Sequence, residues 1–211
     1  MLDADPLVYV VDDDDSVRNA FARLIRSAGY EVEAFASARA FLGAAKLDAR
    51  PACLVLDVQL PDVNGLQLQH ELGTTLPIVF ITAHGDIAMG VHAMKAGAAD
   101  FLAKPVRDTD LLAAIDQALQ AARRLHASRC ETALLRERFD RLTPREREVM
   151  ALVVTGRLNK QVASELGTAE KTIKAHRARV MTKMEVTSLA QLVHLAERAG
   201  IFPAAENRVP R

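Results

Sequence analysis

Four apolar segments of this chain each stop at residues able to hold or transfer charge. Residues 7–11 run out at Asp12 and Asp13, 54–56 at Asp57, 78–81 at Thr82, and 101–103 at Lys104. Short runs that are apolar throughout, bounded by turn-forming residues, read as strands buried on both faces, the pattern of a parallel sheet. If the four segments are parallel neighbours, their carboxyl ends share one edge, and open α/β sheets bind ligands there. Three carboxylates, a hydroxyl and an ammonium group converging on that edge suit metal-assisted phosphoryl chemistry: carboxylates for a hard cation, a cation for equatorial phosphoryl oxygens.

The remaining first-half signals alternate between strand and helix, which predicts a parallel sheet covered on both faces. After the first strand, Ser16 can cap a helix in which Val17, Ala20, Phe21, Leu24 and Ile25 recur at helical spacing, and Gly29 closes it. Residues 32–35 form a weak, half-polar strand, expected at an edge. Strands at 53–56 and 78–81 are separated by Pro61-Asp62-Val63-Asn64-Gly65 and a helix reaching about Leu72. A fifth strand at 100–103 precedes a helix from about Asp108, with Leu111, Leu112, Ile115, Leu119 and Ala122 on one face. That apolar seam breaks at 126–132, then Leu135, Phe139 and Leu142 resume it. No Pro or Gly lies between Val106 and Leu142, so the interval is expected to stay largely helical.

The second half reads as short helices. Thr143-Pro144-Arg145-Glu146 is a capping box with Pro at the first helical position, followed by Val149, Leu152, Val153 and a stop at Gly156. Asn159 starts a helix carrying Val162, Ala163 and Leu166. A tight connection, Gly167-Thr168-Ala169, leads to a third helix reaching about Met184, and Ser188-Leu189-Ala190-Gln191 is a second capping box opening a fourth. Two short helices joined by a Gly-containing turn match a helix-turn-helix.

Charge separates the halves although the chain of 211 residues is neutral as a whole. Residues 1–125 hold 11 Lys and Arg against 17 Asp and Glu, a net of −6; residues 126–211 hold 16 against 10, a net of +6. An acidic unit joined to a basic one predicts an anionic partner for the second, with nucleic acid first. No apolar run approaches the roughly 18 residues of a membrane span, and the start of the chain is acidic, so a cytoplasmic protein with no membrane partner is expected. Cys53 and Cys130 give neither a disulfide framework nor metal-ligand spacing. His84 and His92 read as exposed helix-flank residues. The glycine spacing from Gly85 to Gly90 is that of a phosphate-binding loop, but Val91 stands where the lysine is required, and the match is rejected.

Taken singly, Asp12 to Asp15 is a solvated acidic turn and Asp57 a cap; jointly, and in order, the segments resemble the receiver domain of two-component response regulators. The resemblance is carried by Val8-Tyr9-Val10-Val11-Asp12-Asp13, Leu54-Val55-Leu56-Asp57-Val58-Gln59-Leu60-Pro61-Asp62-Val63-Asn64-Gly65, Phe80-Ile81-Thr82-Ala83, Ala96-Gly97-Ala98 and Phe101-Leu102-Ala103-Lys104-Pro105. It implies a five-stranded, doubly wound, flavodoxin-like parallel sheet of order 2-1-3-4-5. It implies that Asp57 accepts the phosphoryl group from a sensor histidine kinase, and that Asp12, Asp13, Asp57 and the Gln59 carbonyl hold Mg²⁺ (or Mn²⁺). Thr82, the Ala83 backbone and Lys104 would contact the phosphoryl group, Phe101 would be the aromatic switch, and Lys104-Pro105 would be cis. Gln59 departs from the residue many relatives carry, which bears on dephosphorylation.

On the third C-terminal helix, Ile173, Val180, Met181 and Met184 form a buried stripe, and five basic side chains with no acid lie between Lys171 and Lys183. Such a helix suits a major groove, where Lys and Arg reach guanine or phosphate and Ala permits close approach. Leu142-Thr143-Pro144-Arg145-Glu146-Arg147-Glu148-Val149, Asn159-Lys160-Gln161-Val162-Ala163 and Lys171-Thr172-Ile173-Lys174-Ala175-His176 resemble the LuxR-type helix-turn-helix. By that resemblance Lys174, Ala175 and Ala178 face bases, Lys160, Lys171, Thr172, Arg177 and Arg179 complete the DNA-contacting set, and His176 is structural.

The whole chain thus resembles the NarL/FixJ family. The expected layout is a receiver at 1–123, a largely helical linker at 124–140, and a small all-α four-helix DNA-binding domain at 141–211. Expected partners are the sensor kinase, promoter DNA, RNA polymerase and a second copy on phosphorylation. No enzyme activity is expected beyond Mg-dependent self-phosphotransfer and slow autodephosphorylation. One competing reading is a haloacid-dehalogenase-type phosphatase with Asp12 as nucleophile and Asp14 as acid, but residues 105–125 offer only scattered Asp108, Asp110 and Asp116 for its further acidic pair. Another is constitutive DNA binding with a degenerate receiver, against which the intact set of Asp12, Asp13, Asp57, Thr82 and Lys104 argues.

Overall fold

A computed structural model describes residues 5–47, 49–83, 87–198 and 200. The readings of His84, of Gly85 and of the first four residues lie outside them. The chain divides into two compact units, residues 1–127 and 128–211.

In the first unit, β1 (Leu7–Val11), β2 (Glu31–Phe35), β3 (Ala52–Asp57), β4 (Ile78–Thr82) and β5 (Asp100–Ala103) form one parallel sheet of order β2-β1-β3-β4-β5. Strands β1, β3 and β4 are buried along their whole length, as their unbroken apolar runs require, and the half-polar β2 lies at an edge. Alternate residues feed two cores. Tyr9, Leu54, Leu56 and Phe80 pack with Phe41 of α2 (Ala38–Ala44), Leu68 of α3 (Gly65–Leu72) and Ala93 of α4 (Ile87–Lys95). Val8, Val10, Val55, Val79 and Ile81 pack with Ile25 of α1 (Asp15–Ser27) and with Leu111, Ile115 and Leu119 of α5 (Asp108–Asp140). Helices therefore cover both faces, the doubly wound arrangement.

The register sets the functional edge. Val11 pairs with Leu56, Asp57 with Ile81, and Thr82 with Ala103, so Asp12, Asp57, Thr82 and Lys104 stand at neighbouring strand ends.

One local expectation in the first unit needs correction. Ser16 lies inside α1; the cap is Asp14, whose carboxylate accepts from the Ser16 and Val17 N–H groups at 2.8 and 3.1 Å. A carboxylate at a helix N-terminus also complements the dipole, which a serine hydroxyl does less well. Helix α2 has little sequence signal of its own, because part of its N-terminus is satisfied from afar: the Asp62 carboxylate accepts from Ala38 and Arg39 N–H, while Ser37 Oγ accepts from Ala40 N–H.

In the second unit, α6 (Pro144–Val153), α7 (Asn159–Glu165), α8 (Glu170–Lys183) and α9 (Leu189–Arg198) enclose a core of Leu142, Val149, Met150, Val153, Val162, Ile173, Val180, Met184 and Leu192. The Thr143 box forms as the spacing demands, with Glu146 accepting from Thr143 N–H and Thr143 accepting from Glu146 N–H. The second box is displaced by one residue: Ser188 accepts from Gln191 N–H, but Gln191 reaches back to Thr187. Residues 108–140 are helical throughout, as the absence of Pro and Gly predicts. No helix of the described residues is long and apolar enough to cross a membrane.

Candidate functional sites: an acidic strand edge and a basic helix

Carboxylate oxygens of Asp12, Asp13 and Asp57 lie within 4.8 Å of one another, with Asp12 and Asp57 buried and Asp13 at the rim. Lys104 Nζ donates to Asp12 Oδ2 at 2.8 Å and to Asp57 Oδ2 at 2.5 Å. The second Asp57 oxygen accepts the Gln59 N–H at 2.9 Å, and Asp12 Oδ1 accepts the Asp14 N–H at 2.9 Å. Burial pushes the Asp12 carboxyl above the ordinary carboxylate range, against the pull of Lys104. Burial alone would depress Lys104, but the hydrogen bonds and charge of the two carboxylates outweigh it and hold its ammonium group above the usual lysine range. Lys104 therefore stays charged, and the pocket is a cation held between two buried acids.

Of the remaining expected residues, Thr82 is fully buried, Ala83 and Gln59 are exposed, and the Lys104–Pro105 peptide is cis. Phe101 is half-buried, its ring centroid 6.2 Å from that of Phe80. Gly65 backs the pocket: a Cβ there would lie 2.9 Å from the Asp57 carbonyl oxygen and 3.0 Å from Val58 Cα, so only glycine lets α3 begin this close to β3.

Sequence reasoning missed Arg18, whose guanidinium donates to the Asp12 carbonyl at 2.8 Å and also reaches the Asp13 carbonyl and the Asp15 carboxylate. It braces the loop that presents the acids. An arginine three residues beyond Asp15 in an acidic turn was the available signal.

A hard divalent cation takes oxygen ligands, with one or two carboxylates and waters sufficing for Mg²⁺. Three carboxylates within 4.8 Å, one at the solvent rim, meet that requirement.

On α8, Ile173 and Val180 point into the core, while Lys171, Thr172, Lys174, Ala175, Ala178 and Arg179 are exposed and Arg177 is half-buried. Lys160, near the start of α7, is exposed too. Arg177 Nη1 donates to Asn159 Oδ1 at 3.2 Å, tying α8 to α7. Lys183, which the spacing puts beside the basic face, turns away: its Nζ donates to Glu146 Oε2 at 2.7 Å and to the Arg141 carbonyl at 3.1 Å. Glu146 is buried, which would raise its pKa, but the hydrogen bond from Lys183 and that of the capping box pull it below the ordinary value. His176 is half-buried, and its buried Nδ1 has no hydrogen-bond partner among the described residues.

A phosphoryl-type acidic edge on one unit and a helix-turn-helix on the other together define a two-component transcriptional response regulator. Residues 8–116 match the response regulator receiver domain and residues 140–196 match the bacterial regulatory proteins of the luxR family. Nodulation protein W of Bradyrhizobium diazoefficiens is 50% identical over 198 residues, covering 92% of this chain and 87% of that one. The transcriptional regulatory protein FixJ of Rhizobium meliloti is 39% identical over 203 residues, covering 95% and 99%. The solved structure of response regulator StyR shares 49% identity and a TM-score of 0.77 over 92% of this chain and 100% of that one. The chain belongs to the NarL/FixJ family of response regulators. It is a regulator and not a typical enzyme, and a regulator so built has a histidine kinase and DNA as its partners.

Proposed function

We propose that Asp57 is the phosphoacceptor and that phosphate on it controls occupancy of promoter DNA by α8. An Asp57 oxygen attacks the phosphorus of a phosphohistidine on the sensor kinase; the P–N bond breaks, its electron pair returns to the imidazole, and an acyl phosphate forms on Asp57. Mg²⁺ (or Mn²⁺), held by Asp12, Asp13, Asp57 and the Gln59 carbonyl, supplies charge neutralisation for the phosphoryl oxygens when bound. Lys104, charged and already against Asp57 Oδ2, needs only a small movement to pair with the incoming group. Thr82 and the Ala83 N–H complete its contacts, and Phe101 and Pro105 pass its presence to the surface around α4 and β5. That surface carries an apolar stripe of Ile87, Val91 and Met94, exposed 84%, 48% and 45%, which supports homodimer formation there.

In this reading residues 1–123 are the receiver, 124–140 a helical linker, and 141–211 the DNA-binding domain. Lys174, Ala175 and Ala178 face bases, and Lys160, Lys171, Thr172, Arg177 and Arg179 reach the backbone. The protein works in the cytoplasm and engages RNA polymerase at the promoter. The observation that carries the reading is the joining, in one chain, of a buried Asp57–Lys104–Asp12 pocket to an exposed face on α8 that holds no acid beyond Glu170 at its start. Incubation with acetyl phosphate and Mg²⁺ tests it. A gain of one phosphoryl mass that is absent in Asp57→Asn supports it; unchanged mass, or labelling that survives the substitution, overturns it.

A further inference from the structure

Helix α4 is lightly anchored: Ala93 is its buried residue, Ile87, Val91 and Met94 stand in solvent, and Gly90 at its centre weakens the helix relative to alanine. Besides the packing of Ala93 and Met89 on the core, two contacts help to fix where it lies. Gly90 opens a seat for the Phe101 ring, since a Cβ there would come within 3.2 Å of Phe101 Cδ1. One turn further along, Gln69 of α3, only 4% exposed, donates from Nε2 to the Ala93 carbonyl at 3.1 Å.

The second contact is unusual chemically. The neighbours of Gln69 on α3, Leu68 and Leu72, are apolar core residues, and a buried amide without a partner is strongly unfavourable. The Ala93 carbonyl does not depend on Gln69, because it also accepts the Ala98 N–H at 3.0 Å. An apolar residue at 69 would leave that carbonyl satisfied. The amide therefore fixes position between two helices instead of repairing the backbone.

The contacts close a ring through the phosphoacceptor. Helix α3 begins at Gly65, directly behind Asp57, where a Cβ would lie 3.3 Å from Phe80 Cε1; Phe80 packs on Phe101; Phe101 sits on Gly90; and α4 returns to α3 through Ala93 and Gln69. We propose that Gln69 is a positioning residue, a buried tether that holds α4 on α3 in the unphosphorylated protein and sets how readily the α4 face changes. The proposal rests on the reading that phosphate at Asp57 acts through that face.

A tether present only in the resting arrangement favours that arrangement by about one net hydrogen bond, roughly fivefold in population. The test uses the full chain with Gln69→Met, similar in volume and without a donor, and Gln69→Leu as a second variant. For the basal measurements each is also made in an Asp57→Asn background and compared with Asp57→Asn alone, to exclude adventitious phosphate. Hydrogen exchange of residues 87–98 should quicken about fivefold while exchange in α1 is unchanged, and basal DNA affinity should rise about fivefold. Phosphorylated Gln69→Met should bind as the phosphorylated wild type does, so the gain on phosphorylation shrinks by the same factor. If the wild type responds to phosphorylation but both variants keep its basal affinity and its α4 exchange, the tether is overturned and the switch stands. Uniformly faster exchange with no basal gain also overturns it, since that is lost stability alone. If the phosphorylated wild type gains no DNA affinity, the switch fails and the tether falls with it.

Discussion

The acidic strand edge and the exposed face of α8 both gather like charge, yet they treat it in opposite ways. At the strand edge Asp12 and Asp57 are 2% and 7% exposed, and Lys104 is fastened to both. On α8, Lys171, Lys174 and Arg179 stand in water, and the cations nearest that face that have protein partners, Arg177 and Lys183, are bonded inward to Asn159 and Glu146. Burial strengthens charge interactions and confines them to a small group that fits; exposure spreads them over a surface and leaves them open to screening. One region suits a single phosphoryl group, the other a polyphosphate backbone.

Salt should separate the two most sharply. Four charged phosphate contacts per copy, from Lys160, Lys171, Arg177 and Arg179, give a slope of about −3.6, so raising salt fourfold weakens DNA binding roughly 150-fold. Labelling of Asp57 by acetyl phosphate should change by no more than about twofold over the same range. A flat salt dependence of DNA binding would break the comparison. Lys104→Met comes next: removing the charge beside the developing phosphoryl oxygens should slow labelling about 100-fold. DNA affinity of the unphosphorylated variant should stay that of the wild type, as measured by fluorescence anisotropy. Lys174→Ala mirrors it, costing DNA affinity about tenfold with labelling untouched.

The smallest effect is on pH. The folded pKa of Glu146 lies below its ordinary 4.5 because Lys183 and the capping box favour the carboxylate over the burial that opposes them. A depressed carboxylate pKa contributes stability that is present above the unfolded value and lost as pH falls through the folded one. Thermal melts of the second unit should therefore soften below about pH 4.5, and Glu146→Gln should lower stability at neutral pH while flattening that acid limb.

The same contrast governs what could be read from sequence. The strand-edge residues were legible because parallel strands put their carboxyl ends together, so the residue after each apolar run is placed by topology alone. The α8 face was legible from helical period. What escaped was long-range. Helix α2 is capped in part by Asp62, 23 and 24 residues beyond the N–H groups it accepts. Helix α4, Ile87–Lys95, is apolar nearly all round yet largely exposed, so it carries no period to read. Lys183 belongs by spacing to the basic side of α8, and only the fold brings Glu146, 37 residues away, beneath it. Gln69 opens the polar run Gln69-His70-Glu71, and only its hydrogen bond to the Ala93 carbonyl, 24 residues on, shows why it is buried.

The claim that joins the two regions is that phosphate on Asp57 raises DNA occupancy by α8. Duplexes selected from random-sequence DNA by the acetyl-phosphate-treated protein provide the probe, titrated at fixed salt with wild type and Asp57→Asn, each with and without acetyl phosphate and Mg²⁺. Treatment should tighten binding by the wild type and leave Asp57→Asn unchanged. Equal affinity in all four titrations, or an equal gain in the variant, would contradict it.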